Sequence, residues 1–106
     1  MHPCLDDIRS ELRSALEAHY GNRLARLLLY GSQARGDARR YSDIDVLVVL
    51  KDEVDSSAET RRTSDIRYRL SLEYTTVVTF AYVSEKRFEE KGTPFFLNVR
   101  KEGVRL

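Results

Sequence analysis

Residues 46–50 read VLVVL, five apolar side chains in a row between Asp45 and Lys51. A strand sends successive side chains to opposite faces, so a run that is apolar at every position has no face to give to water. Its valines are β-branched and favour extended backbone. The segment DIDVLVVL, 43–50, therefore predicts a buried central strand, with other elements packed on both of its faces.

The rest of the chain supplies those elements. Leu5, Ile8, Leu12, Ala15 and Leu16 recur at helical spacing, with Pro3 suited to a first turn and Gly21 placed to end a helix over about 4–20. LARLLLY, 24–30, is a second short apolar run, ended by Gly31. Between the two runs SQARGDARRYS is polar and rich in breakers, which predicts a short helix or turn followed by a loop. Ser56 with Glu59 has the form of a capping box for a helix running to about Tyr74, with Ile66, Leu70 and Tyr74 as its buried stripe. TTVVTFAYV, 75–83, is a third strand, SEKRFEEKG a short helix, and Thr93-Pro94 opens a last helix that Gly103 ends, with VRL as a short final strand. Phe95, Phe96 and Leu97 are expected mainly in the core, although three neighbours on one helix cannot all face the same way. The order predicts an α/β (α+β) fold, a mixed central sheet packed on helices, in a single domain over 1–106.

Charge and cysteine usage narrow the function classes. Eighteen basic and seventeen acidic residues leave a formal charge of +1, so no global field favours nucleic acid or an anionic membrane. Cys4 is the only cysteine, which excludes an intramolecular disulfide and a Cys-based zinc cage. No apolar run is long enough to span a bilayer, and MHPCLDDIRS lacks the layout of a signal peptide. The expectation is a soluble cytoplasmic protein, without direct nucleic-acid or membrane partners, whose self-association is left open.

Asp43 and Asp45 stand one residue apart at the start of the buried strand. Side chains at i and i+2 leave the same face with Cα atoms about 6.5 Å apart. Two like charges at that range repel by about 3 kcal/mol at an effective dielectric near 20, and a shared divalent cation removes the cost. Oxygen-only ligands favour Mg²⁺ or Mn²⁺, which commonly take one or two carboxylates together with phosphate oxygens. Gly31-Ser32 closes the preceding strand: the glycine allows a sharp turn and close ligand approach, while Ser32 is placed to cap the next turn and offer its hydroxyl beside free N–H groups. Arg35, Arg39 and Arg40 lie in the connection, where they either neutralise a triphosphate or form a solvated loop. Tyr41 is placed to stack on a base or to sit half-exposed in the loop, and Asp37 to pair with a neighbouring arginine.

Gly31-Ser32, ten intervening residues and then Asp43-Ile44-Asp45 match the G-S-x10-D-x-D signature of the DNA polymerase β-like nucleotidyltransferases. From about Leu5 to Leu106, including YGSQARGDARRYSDIDVLVV and the ending TPFFLNVRKEGV, the chain resembles their minimal nucleotidyltransferase branch. The resemblance implies that Asp43 and Asp45 are catalytic and bind two Mg²⁺ ions, that Gly31 and Ser32 hold the triphosphate, and that ATP gives up AMP to a hydroxyl with release of pyrophosphate. It also implies a partner, since short proteins of this type accompany helical HEPN toxins, which they neutralise by nucleotidylating a tyrosine. One departure stands out. Family members with full activity usually carry a third carboxylate on the next central strand, where this chain aligns Thr79; Glu73 is the nearest acid before that strand. The departure predicts a weakened metal site or low activity, and opens an alternative: a nucleotide-binding module that neutralises its partner by masking it.

Overall fold

The computed structural model describes residues 3–36, 42–90 and 93–106. Leu24–Tyr30 (β1), Ile44–Leu50 (β2), Val78–Ser84 (β3) and Val104–Arg105 (β4) form a four-stranded sheet in the order β3-β2-β1-β4. β1 runs antiparallel to β2 and to β4, whereas β2 and β3 are parallel. A parallel pair needs a long crossover. Ser56–Arg62 (α3) and Ser64–Glu73 (α4) provide it.

Helices cover both faces, as the VLVVL run requires. Ile44, Val46, Val48 and Leu50 enter one core with Ile8, Leu12 and Leu16 of Leu5–Tyr20 (α1) and Leu70 of α4. Leu47 and Val49 enter a second core with Phe88 of Glu85–Glu89 (α5) and Val99 of Pro94–Glu102 (α6). From Val46 to Leu50 the side chains are wholly buried. Among the described residues no helix is long and apolar enough to cross a membrane.

Several elements differ in detail from the sequence expectation. The crossover is two helices, because Thr63 interrupts it: its hydroxyl donates to the Glu59 carbonyl at 2.8 Å and also bonds the Tyr82 hydroxyl. Asp55 caps α3, its carboxylate accepting the Ala58 N–H at 3.2 Å. Glu59 serves no capping box there. It is buried, accepting from the Tyr20 hydroxyl at 3.0 Å and from Arg23 and Arg62, each at 3.2 Å. β3 starts at Val78 instead of Thr75, since Thr75 has φ 52° and the Thr76 N–H turns back to the Ser71 carbonyl at 3.1 Å. On α6, Phe96 packs into the second core while Phe95 and Leu97 are exposed.

Candidate active site

Sheet register sets Tyr30, Asp45 and Thr79 side by side across β1, β2 and β3. Alternation along β2 puts Asp45 on the face of Leu47 and Val49, the face that α5 and α6 cover. The Thr79 hydroxyl donates to Asp45 Oδ1 at 2.6 Å. The other carboxylate oxygen, Oδ2, faces the turn that follows β1. A Cβ built on Gly31 would lie 2.6 Å from it.

Gly31 opens a five-residue helix, Gly31–Arg35 (α2), with φ 73°. Two independent constraints therefore demand glycine: the left-handed backbone and the carboxylate packed against the α-carbon. The expected meeting of the Gly-Ser turn with the carboxylates at one sheet end is thus realised for Asp45. Ser32 is not the cap of this turn; it is the second residue of α2, and its carbonyl accepts the Gly36 N–H at 3.1 Å. Gly36, at φ 79°, closes the helix.

Asp43 is exposed, one residue before β2. Its neighbour Ile44 is wholly buried and donates its N–H to the Val77 carbonyl at 2.8 Å, so the backbone between the two aspartates is fixed to β3's approach. On the other side of Asp43, the Ser42 carbonyl accepts from the Gln33 side-chain amide at 3.0 Å and from the Thr76 hydroxyl at 3.3 Å. Gln33 is 1% exposed. It ties α2 to the entry of β2 and so sets the spacing between the glycine turn and both carboxylates. Sequence reading missed it, because a glutamine in a polar stretch carries no signal of burial.

Arg35 lies near the turn but is engaged with Glu102 of α6 at 3.8 Å. Both side chains are half-exposed, so the pair is weak and open to exchange for another anion. They line a cleft of about 210 Å³ with Tyr30, Gly31, Phe95 and Asn98. Tyr30 is half-buried there; burial first, then the charge of Asp45, push its phenol above the ordinary range. Arg39, Arg40, Asp37 and Tyr41 lie outside the described residues. Glu73 ends α4, on the helix whose Leu70 enters the opposite core, and its carboxylate lies 3.8 Å from Arg69. A larger hollow of about 440 Å³, between Val54, Tyr82 and Arg87, lies at the far ends of β2 and β3 and includes none of the Tyr30–Asp45–Thr79 row.

The donor set suits a hard cation with limits. Among the described residues no three His, Cys, Asp or Glu side chains gather to hold a metal. Asp43 and the free Oδ2 of Asp45 offer two carboxylates, and Mg²⁺ is commonly held by one or two with phosphate oxygens completing its shell. Oδ2 itself lies in the room left by the missing Cβ of Gly31, packed against the glycine turn.

Comparison with known proteins shows the family and the fold. The family described as "Nucleotidyltransferase domain" matches residues 9–104. A protein of Methanocaldococcus jannaschii described as "Putative protein adenylyltransferase MJ0604" is 35% identical over 94 residues, covering 88% of each chain. A second from the same organism, "Putative protein adenylyltransferase MJ0141", is 33% identical over 73 residues, 69% of this chain and 73% of that one. Among solved structures, a toxin-antitoxin crystallised with AMP-PNP superposes with a TM-score of 0.67 at 20% identity, covering 92% of this chain and 70% of that one. A structure described as "putative minimal nucleotidyltransferase" superposes at 0.61 with 24% identity, covering 100% and 97%. These two share the fold.

Proposed function

This chain belongs to the nucleotidyltransferase domain family, and on that premise we propose that it transfers AMP from ATP to a hydroxyl of a partner protein, a tyrosine of a HEPN-type toxin. The observation that carries the reading is the contact between Asp45 Oδ2 and the Gly31 turn. A polyphosphate lying along that turn brings its oxygens beside the carboxylate. Asp43 and Asp45 are the residues that would hold Mg²⁺ or Mn²⁺, which when bound neutralises phosphate charge and activates the attacking hydroxyl. Gly31 gives the approach, Ser32 a hydroxyl beside it, and Arg35, which lines the same cleft as Gly31, a guanidinium for a phosphate oxygen. The adenylyl group and the protein acceptor draw support from the names of the relatives. A toxin partner draws support from the shared fold with a toxin-antitoxin protein.

The test is transfer of label from α-labelled ATP, with Mg²⁺, to the protein encoded beside this one. Wild type should label the neighbour, and Asp45→Asn should reduce labelling at least a hundredfold. An unlabelled neighbour, with wild type and Asp43→Asn alike, removes the enzyme reading.

A masking role is favoured by two observations. Thr79 brings no charge to the row, and Tyr68, Leu72 and Val77 are large apolar side chains left exposed on α4 and just before β3. Neutralisation of a toxin by Asp43→Ala with Asp45→Ala, at wild-type strength, would support masking, and loss of neutralisation would support catalysis.

A further inference from the structure

We infer that Thr79 is a positioning residue for Asp45, its hydroxyl fixing the carboxylate so that a single oxygen is turned to the glycine turn. The inference rests on the nucleotidyltransferase reading of this site and goes beyond it, because it gives a role to the residue that stands where an acid is absent.

The geometry leaves Asp45 little freedom. Parallel register sets Thr79 directly beside it on the neighbouring strand, on the same face. Threonine is stiff at χ1, so the hydroxyl is presented in a defined direction before any partner binds. At 2.6 Å the O–H to Oδ1 bond is of the short, charge-assisted kind. With Oδ1 held, the plane of the carboxylate is set and Oδ2 comes to rest against Gly31, at 2.6 Å from the place a Cβ would take. The strand on one side and the glycine turn on the other therefore clamp Asp45 in one orientation.

A carboxylate at this position in the row would repel Asp45 unless a cation lay between them. A threonine does the opposite. It lends a proton to one oxygen, draws that oxygen away from any cation, and leaves Oδ2 as the oxygen that Asp45 offers beside Asp43. The chain keeps a preorganised single ligand where a second acid would have made a bridge.

Mn²⁺ alone is a sufficient probe, followed by electron paramagnetic resonance titration of wild type, Asp45→Asn, Thr79→Val and Thr79→Ser. Valine keeps the shape and removes the O–H; serine keeps the O–H. The expected result is an about tenfold to hundredfold weaker Mn²⁺ affinity for Thr79→Val, on the order of one hydrogen bond to a charged group, and an affinity within about twofold of wild type for Thr79→Ser. Thermal melting checks that each variant stays folded at the titration temperature, and a crystal structure of Thr79→Val should find the Asp45 carboxylate turned away from Gly31. Mn²⁺ binding by Thr79→Val that equals or exceeds wild type, while Asp45→Asn loses it, overturns the positioning role and leaves the site reading intact. Equal Mn²⁺ binding by wild type and Asp45→Asn overturns the site reading, and the inference falls with it.

Discussion

Gly31 is where conformation and chemistry meet in one residue. Its φ of 73° and the 2.6 Å approach of Asp45 Oδ2 to a Cβ position make any side chain costly. Gly31→Ala should lower unfolding free energy by about 1–2 kcal/mol from the left-handed backbone alone. It should also displace Asp45, so Mn²⁺ affinity should fall further than for Thr79→Val; urea melts and the same titration check both. Gln33 acts at a distance from the chemistry. Gln33→Ala strips the Ser42 carbonyl of a side-chain donor, which should cost about 1–2 kcal/mol. Loosening the entry to β2 should also reduce labelling of the partner several-fold with Asp43 and Asp45 untouched. Unchanged labelling would make Gln33 a structural residue only. The approach of Gly31 to Asp45 was legible because the spacing and residue types point to a turn closing on a strand-end carboxylate. Gln33 and the Thr79 hydrogen bond were not, since each exists only once two elements distant in sequence have docked.

The elements follow the same division. Strands and terminal helices were legible where the local pattern is decisive: the all-apolar run at 46–50, the stripe of α1, Pro94 at the start of α6 and Gly103 after it. The crossover was legible as helical but not as broken. Thr63 divides it, and the cause lies in β3, whose Tyr82 takes the Thr63 hydroxyl, together with back-bonding to the Glu59 carbonyl. Glu59 was misread for a related reason: a Ser-x-x-Glu spacing looks the same whether the acid turns back to cap or inward to Tyr20 and Arg23. Its inward turn has an energetic signature. Glu59→Ala leaves the buried Tyr20 hydroxyl without that acceptor, while Arg23 and Arg62, 39% and 58% exposed, can turn to water. A loss of about 1–3 kcal/mol is expected, the cost of taking an acceptor from a buried hydroxyl. Glu59→Gln, which keeps an acceptor for Tyr20, should recover most of it in urea denaturation, and partner labelling should be unaffected in both.

At the scale of the whole molecule, both faces of the sheet hold phenols in their neutral form. Tyr20 and Tyr82 lie with Glu59 on the α1 side, where burial first raises both, and the charges of Tyr82 and Glu59 add to the rise at Tyr20. Tyr30 lies on the other face, raised by burial and by Asp45. In the unfolded chain these phenols lose their protons near pH 10, whereas in the folded chain they keep them. Above that pH the folded state binds more protons than the unfolded one, so stability must fall as pH rises; below it these groups contribute no slope. Each phenol still protonated in the folded state steepens the fall by about 1.4 kcal/mol per pH unit. Urea melts between pH 8 and 11 should be level at first and then decline past about pH 10, with absorbance at 295 nm reporting ionisation only as the chain unfolds. Tyr82→Phe removes one of these groups and should flatten the decline. Asp45→Asn removes a charge that raises Tyr30, and should bring part of the ionisation to lower pH before unfolding. Stability that stays level through pH 11 would mean that the phenols ionise in place, and that neither core is closed to hydroxide.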